Sequence, residues 1–131
     1  MAGETDLKTL LKTMSPTVHQ GDYVFCSVKN LDGVHPSAII SLVKEDEGVS
    51  LILERSQADA LNIPYSFISS WITLKVHSSL EAFGLTAAFS RALADANIGC
   101  NVVAGYYHDH IFVNKSQAVR ALEVLKQLSG A

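Results

Sequence analysis

The chain has 131 residues, of which 48% are apolar and only 18% are charged, against a usual charged fraction of about 25%. This composition excludes intrinsic disorder for the body of the chain, and the length excludes a large multidomain enzyme. A net charge of −3 without a cluster of Lys or Arg argues against nucleic-acid binding.

Other classes of protein are excluded by the cysteines and by the apolar runs. Cys26 and Cys100 are too few for a disulfide scaffold or a cysteine zinc site. The polar N-terminus does not resemble a signal peptide, and no apolar run approaches the ~20 residues of a membrane span. We therefore expect a cytoplasmic protein with no membrane partner.

The first half of the chain is predicted to contain a helix, a strand, a hairpin and a short helix. The helix covers residues 6–13 and the strand residues 23–29. The hairpin covers residues 38–43 and 49–53, and the short helix covers residues 56–61. The Ser15-Pro16 pair ends the first helix, because the residue before a proline avoids helical backbone angles. Ser56 is the expected cap of the short helix.

The second half is predicted to contain a strand, a helix, a hairpin and a final helix. The strand covers residues 67–76, and the helix after it ends near residue 97. The hairpin covers residues 101–106 and 111–113, and the final helix begins at residue 116. The start of the middle helix is left open. Ser78 and Glu81 fit a capping box, whereas Gly84 interrupts the pattern and indicates a later start.

The two halves repeat each other at a spacing of sixty residues. Ser56-Gln57-Ala58 aligns without a gap on Ser116-Gln117-Ala118, and the preceding strands align as well. This repeat predicts a duplicated strand–strand–helix unit of the split βαβ type. We expect an α+β fold of two units, residues 1–65 with the N-terminal helix and residues 66–131, with antiparallel sheets and helices on one face.

His108-Asp109-His110 is the densest group of functional side chains in the sequence. A metal site needs three or four convergent ligands, but in a strand Asp109 points away from the face that both histidines share. We therefore expect no metal here. A nucleophile–base pair of Cys100 with His108 is disfavoured because Cys100 lies in a predicted core strand. The triplet and its tyrosines either fill a hairpin tip or recognise a ligand.

The repeat favours recognition, because residues 106–110 differ in character from their counterparts 46–50 on a shared frame. An acidic side chain beside aromatic walls suits an ammonium group. The start of the middle helix, near Gly84, offers unpaired N–H groups to a carboxylate. Together these features provide the two poles that an α-amino acid requires.

Residues 76–86, 98–103 and 107–113 resemble bacterial ACT-domain proteins with tandem ACT-like units. The resemblance implies two ferredoxin-like ACT folds, arranged as in the regulatory part of aspartate kinases and dimerised through their sheets. The pair Asp109-His110 and the loop 81–84 also resemble the pocket of cytosolic arginine sensors built from ACT domains. In those sensors, the loop backbone takes the ligand carboxylate and the aspartate takes its basic end.

The predicted function is therefore a small-molecule binding module, specific for an amino acid, that regulates a separate partner and forms a homodimer. No catalytic residue and no cofactor are expected. Two alternatives are a small enzyme that uses His108, Asp109 or His110 for proton transfer, and a ligand-free dimerisation module. The expected ligand-binding residues are Ala82, Phe83, Gly84, Leu85, Gly105, Tyr106, Tyr107, His108 and Asp109.

Overall fold

The computed structural model describes residues 6–76 and 84–130. The helices are Leu7–Thr13 (α1), Arg55–Ala60 (α2), Leu85–Asp95 (α3) and Ala118–Gly130 (α4). The strands are Ser15–Val18 (β1), Tyr23–Val28 (β2), Ile39–Glu45 (β3), Gly48–Glu54 (β4), Ile68–Lys75 (β5), Cys100–Ala104 (β6) and Asp109–Asn114 (β7). Short 3-10 turns cover Pro36–Ala38 and Lys115–Gln117.

The described residues pack as two compact units, which are treated separately below. The first consists of residues 6–19 together with 71–76 and 84–130, and is called the C-terminal unit. Its strands lie in the order β1, β5, β7, β6, and β1 pairs antiparallel with residues 72–75 of β5. The chain from β5 to α4 supplies a β-α-β-β-α sequence, and the N-terminal strand β1 completes the sheet as its fourth strand.

The core of the C-terminal unit lies between one face of this sheet and three helices. Its buried residues include Ile72 and Leu74 of β5, Ile111 of β7, and Phe89 of α3. Leu10 of α1 is fully buried in the same cluster. Apolar residues at alternate strand positions and along one stripe of each helix therefore meet in a single layer.

The second unit, residues 20–70, contains β2, β3, β4, α2 and the start of β5. Its strands follow the order β3, β4, β2, β5. Between β2 and β3 the described helical structure is only the 3-10 turn Pro36–Ala38, at the point where the other unit has α3. The core cluster of this unit is formed by Val24, Cys26, Leu51, Leu53 and Ala58.

The sixty-residue repeat is reproduced in the pairing of the hairpins. Val102 pairs with Ile111 and Val103 with His110, as Leu42 pairs with Leu51 and Val43 with Ser50. The registers diverge only at a bulge between Ile39 and Ser41. Equal register over most of the hairpin is what a duplication predicts, because a slip of one residue would reverse the faces of every side chain.

Two local expectations were wrong. Ser56 does not cap α2, which begins at Arg55 after Glu54, and the Ser56 hydroxyl donates instead to the Glu54 carboxylate. Strand β1 was missed, because Ser15-Pro16 indicated only the end of a helix. Pro16 pairs with Leu74 in a strand that the described residues leave at an edge, where the missing N–H is tolerated.

The N-terminal helix was expected to belong with residues 1–65, yet α1 contacts α3 and α4. The physical reason is the pairing of β1 with β5, which carries the preceding helix onto the C-terminal unit. The division into ACT-like units of residues 1–65 and 66–131 stays a prediction.

We predict that Leu10→Ala destabilises the C-terminal unit by about 2–5 kcal/mol, because it leaves a cavity in the core cluster that also contains Phe89 and Leu85. Urea unfolding followed by hydrogen exchange measures the loss and its location, which should be residues 71–130. Leu31→Ala is the matched control, because Leu31 is 39% exposed, and a change near 0.5 kcal/mol is expected. Equal effects of the two substitutions would contradict the assignment of α1.

Candidate functional site

The hairpin tip between β6 and β7, residues 105–108, is closed by one backbone hydrogen bond. The N–H of Gly105 donates to the carbonyl oxygen of His108 at 2.9 Å. A Cβ atom on residue 105 would lie 2.8 Å from that oxygen, closer than real Cβ contacts allow. The tip therefore requires glycine at this position because of close approach.

Two tyrosines project from the tip. Tyr106 is 70% exposed and Tyr107 is 62% exposed. Their rings meet edge to face, with centroids 4.9 Å apart, which is a favourable geometry for aromatic pairs. The tip thus presents an aromatic surface to solvent next to His108.

The tip lies at the carboxyl end of β5. Nδ1 of His108 is 3.4 Å from the carbonyl oxygen of Val76, which directly follows β5. From Val76 the chain passes through residues 77–83 to Gly84, where α3 begins. The predicted site residues Ala82 and Phe83, and the predicted cap Ser78, lie outside the described residues.

Gly84 occupies the N-cap position of α3 with a φ of +97°, a left-handed conformation that favours glycine. Its carbonyl accepts the N–H of Ala88 at 2.9 Å and so begins the helix. Helix α3 therefore begins at the later of the two starts considered. The first N–H groups of an α-helix have no partner within the helix and lie at the positive end of its dipole.

Leu85 contributes its side chain to the core and not to a pocket, because it is only 4% exposed and packs with Phe89. Only its backbone N–H is oriented as the start of a helix requires. Of the predicted loop residues that the structure describes, Gly84 and Leu85 thus offer backbone groups alone.

Asp109 is the first residue of β7 and is half-buried. It shares the parity of Ile111 and Val113, whose side chains lie in the core beneath the helices, so it points to the helix-covered side of the sheet. Burial raises the pKa of its carboxyl, although the neighbouring His110 and His108 act in the opposite direction. No hydrogen bond to this carboxylate comes from the described residues.

His110 points to the opposite side of the sheet from Asp109. Its Nδ1 accepts a hydrogen bond from the indole N–H of Trp71 at 3.1 Å and lies 3.0 Å from the hydroxyl of Thr73. The three side chains of the triplet 108–110 therefore do not converge on one point. Within residues 6–76 and 84–130, no three His, Cys, Asp or Glu side chains are placed to hold a metal ion.

Sequence reasoning missed a cluster on the open side of this sheet, the face away from the helices. The ring of His19 stacks on Trp71 at 3.6 Å with an interplanar angle of 8°, and its Nε2 lies 2.7 Å from the Thr73 hydroxyl. We call His19, Trp71, Thr73 and His110 the imidazole–indole cluster. Trp71 and Thr73 share a face because they alternate along β5, but no periodic signal connects them with His19.

Models of the ACT domain match residues 2–70 and residues 66–127. The chain belongs to the ACT-domain family. The predicted resemblance and the predicted α+β fold of two ferredoxin-like ACT units are confirmed, and two ACT domains support a ligand-binding regulatory module.

Solved structures extend the comparison. A Vibrio cholerae protein of unknown function, described as a possible transport protein, is 47% identical with a TM-score of 0.83, over 94% of this chain and 95% of that chain. A Clostridium acetobutylicum aspartate kinase is 11% identical with a TM-score of 0.62, over 89% of this chain and 34% of the kinase. The regulatory subunit of the Thermus thermophilus aspartate kinase is 7% identical with a TM-score of 0.59, over 90% of this chain and 98% of the subunit. At such low identities, the two kinase likenesses establish the fold alone.

The search of curated proteins gives no match. In the part of the chain that the structure describes, no helix is both long enough and apolar enough to cross a membrane.

We predict that Gly105→Ala destabilises the tip by about 1–3 kcal/mol, because the new methyl group collides with the His108 carbonyl. Urea unfolding and amide exchange at residues 104–109 measure the effect. Gly99→Ala is the matched control, since nothing lies within 4 Å of a Cβ there, and it should leave the free energy of unfolding within about 0.5 kcal/mol. If the free energy of unfolding and the amide exchange of residues 104–109 are unchanged in Gly105→Ala, the close approach is contradicted.

Proposed function

We propose that this protein is a regulatory module that binds an amino acid at the end of its C-terminal unit and acts on a separate partner protein. The observation that carries the proposal is the half-buried Asp109 carboxylate, which has no hydrogen-bond partner among the described residues. It lies on the helix-covered side of the sheet, at the end where β5 leaves toward the start of α3.

The two poles of this site have opposite electrostatic character. The first turn of α3 presents N–H groups and the positive end of the helix dipole, which suit a carboxylate. Asp109 presents a negative charge, which suits an ammonium or another basic group through a charge-assisted hydrogen bond. In the proposed pose, the ligand carboxylate meets the N–H groups of Gly84 and Leu85, and its cationic group meets Asp109.

The remaining predicted residues would surround the ligand between these poles. Gly105 keeps the tip compact, while Tyr106, Tyr107 and His108 supply aromatic surface near Asp109. Ala82 and Phe83, which precede Gly84 in the sequence, complete the proposed set of ligand-binding residues. His110 faces the other side of the sheet from Asp109, so these two groups do not form an acid–base pair, and this favours binding over proton transfer.

We expect Asp109→Asn to weaken amino-acid binding about 10- to 150-fold, because it removes a charge-assisted bond and keeps the side-chain shape. A thermal-shift screen of the twenty amino acids identifies the ligand, and calorimetry then measures its affinity for each variant. Asp46→Asn is the matched control, since Asp46 occupies the turn of the equivalent hairpin in the other unit. Wild-type affinity in Asp109→Asn, or no ligand among the twenty, would contradict the proposed site.

The stability of the same variant separates lost binding from lost folding. Burial raises the folded-state pKa of Asp109 above its ordinary 3.8, so the folded state binds more protons than the unfolded state between those two values. The contribution of Asp109 to stability is therefore lost as pH rises through that window. Without ligand at pH 7, Asp109→Asn should be at least as stable as wild type in urea unfolding; a less stable variant would assign Asp109 a structural role.

We also propose a homodimer formed through the sheets. Among the described strands, β3 and β6 each have one unpaired edge, and unpaired edges are prone to pair with other chains. Val43 on β3 is 55% exposed and Val102 on β6 is 37% exposed. The low charged fraction of 18% agrees with a surface that is covered by another copy.

Sedimentation at micromolar concentration should give about twice the chain mass of 14.1 kDa. Val43→Lys and Val102→Lys place a charge on one edge each, so the variant that alters the interface edge should sediment as a monomer. The other variant then serves as the control. A wild-type monomer would contradict the dimer.

A further inference from the structure

The imidazole–indole cluster has a hydrogen-bond pattern that fixes where its protons lie. An indole N–H can only donate, so the Nδ1 of His110 accepts from Trp71 and carries no proton. The Thr73 hydroxyl, 3.0 Å from the same nitrogen, also donates to it. The Thr73 oxygen is then free to accept from Nε2–H of His19 at 2.7 Å. The chain of donors runs from His19 through Thr73 to His110.

This pattern is compatible only with a neutral His110. A proton on Nδ1 would face the N–H of Trp71, which can only donate and cannot reverse its direction. The Thr73 hydroxyl can rotate and accept from the protonated nitrogen, so its bond is reversed and not lost. Protonation therefore removes the hydrogen bond from Trp71 that holds the ring.

The charged groups around the cluster also disfavour protonation. Burial lowers the pKa of His110, and His108 lowers it further, while Asp109 acts in the opposite direction. Burial likewise lowers the pKa of His19, with smaller effects of His110 and Lys75. Strands β1 and β6 present no ionisable side chain on this face of the sheet.

The ring of His110 is in contact with the hairpin tip. Its Nε2 lies 3.0 Å, and its Cδ2 3.2 Å, from the position that a Cβ on Gly105 would occupy. Gly105 also holds the tip closed through its bond to His108. A displacement of the His110 ring therefore directly changes its packing against the backbone of residues 105–108.

We propose that the imidazole–indole cluster is a pH-sensitive switch that controls the hairpin tip. In the neutral form, Trp71 and Thr73 hold His110 against Gly105 and the tip is closed. When Nδ1 of His110 takes up a proton, the bond from Trp71 is lost and the bond with Thr73 reverses, so the ring moves and the tip is released. The switch needs no ligand, so its failure and the failure of the amino-acid site are separate outcomes.

The test uses Trp71, the only tryptophan of the chain, as its own reporter. Its emission should change in one step as pH falls from about 8 to about 4.5, with a midpoint below the ordinary histidine value of 6.5. In a parallel NMR titration, the amides of residues 105–108 should shift with the same midpoint. An emission step without movement of the tip amides would overturn the proposal.

Substitutions identify the histidine. His110→Asn keeps an acceptor near the Nδ1 position but does not titrate, so its emission step should vanish. Trp71→Phe removes the one donor that cannot reverse, so in the NMR titration it should raise the midpoint of the tip amides by about 0.4 to 1 pH unit, and it tests the switch even if His110→Asn does not fold. His35→Asn, in the other unit, is the control and should titrate as wild type. An emission step that survives in His110→Asn or disappears in His19→Asn, or a midpoint of the tip amides that is unchanged in Trp71→Phe, overturns the proposal.

The sign of the stability effect is a second readout. The folded-state pKa of His110 lies below its unfolded value of 6.5, so the unfolded state binds more protons between the two values. This contribution is complete above 6.5 and is lost as pH falls below it. The wild-type midpoint in urea should therefore fall over this range, and the fall should be smaller in His110→Asn; an equal fall in both would contradict the role of His110.

Discussion

The antiparallel pairing of β1 with residues 72–75 of β5 is the interaction on which the C-terminal unit depends. This pairing joins residues far apart in the chain, and each consequence follows from it. It carries α1 onto α3 and α4, so that Leu10 joins the core cluster that contains Phe89. It also places His19 directly after β1, where its ring stacks on Trp71. The core on one side of the sheet and the cluster on the other therefore share one cause.

The alternation of side chains along β7 places two sequence neighbours, a carboxylate and an imidazole, on opposite sides of the sheet. Asp109 shares the helix-covered side with Ile111, whereas His110 lies on the open side with Trp71 and Thr73. A carboxylate on one side costs stability when it is ionised, because burial opposes its charge. An imidazole on the other side is held neutral by the fixed direction of an indole donor. One strand can thus bear a carboxylate and an imidazole without their meeting in one site.

The two ACT domains show what the duplicated frame conserves and where it differs. The hairpins keep the same register, and the strand order of each unit is the same when the fourth strand is counted. The differences lie at the turn, where Asp46 and Glu47 correspond to Tyr106 and Tyr107, and after the first strand, where one unit has only a 3-10 turn. A shared frame with a changed tip is the expected outcome when one copy keeps a ligand site and the other keeps only structure.

The sequence by itself determined the local elements, the repeat and the family, because these depend on periodicity and on residues close in the chain. The hairpin of 101–106 with 111–113 and the helix interrupted at Gly84 were predicted to within a few residues for this reason. It could not determine β1, whose strand character comes from pairing with β5, or the packing partners of α1. It also left the imidazole–indole cluster unseen, since Thr73 meets His19 and His110 across separations of 54 and 37 residues. Contacts at such distances leave no period in the sequence, so only the tertiary structure decides which side chains meet and which protons they share.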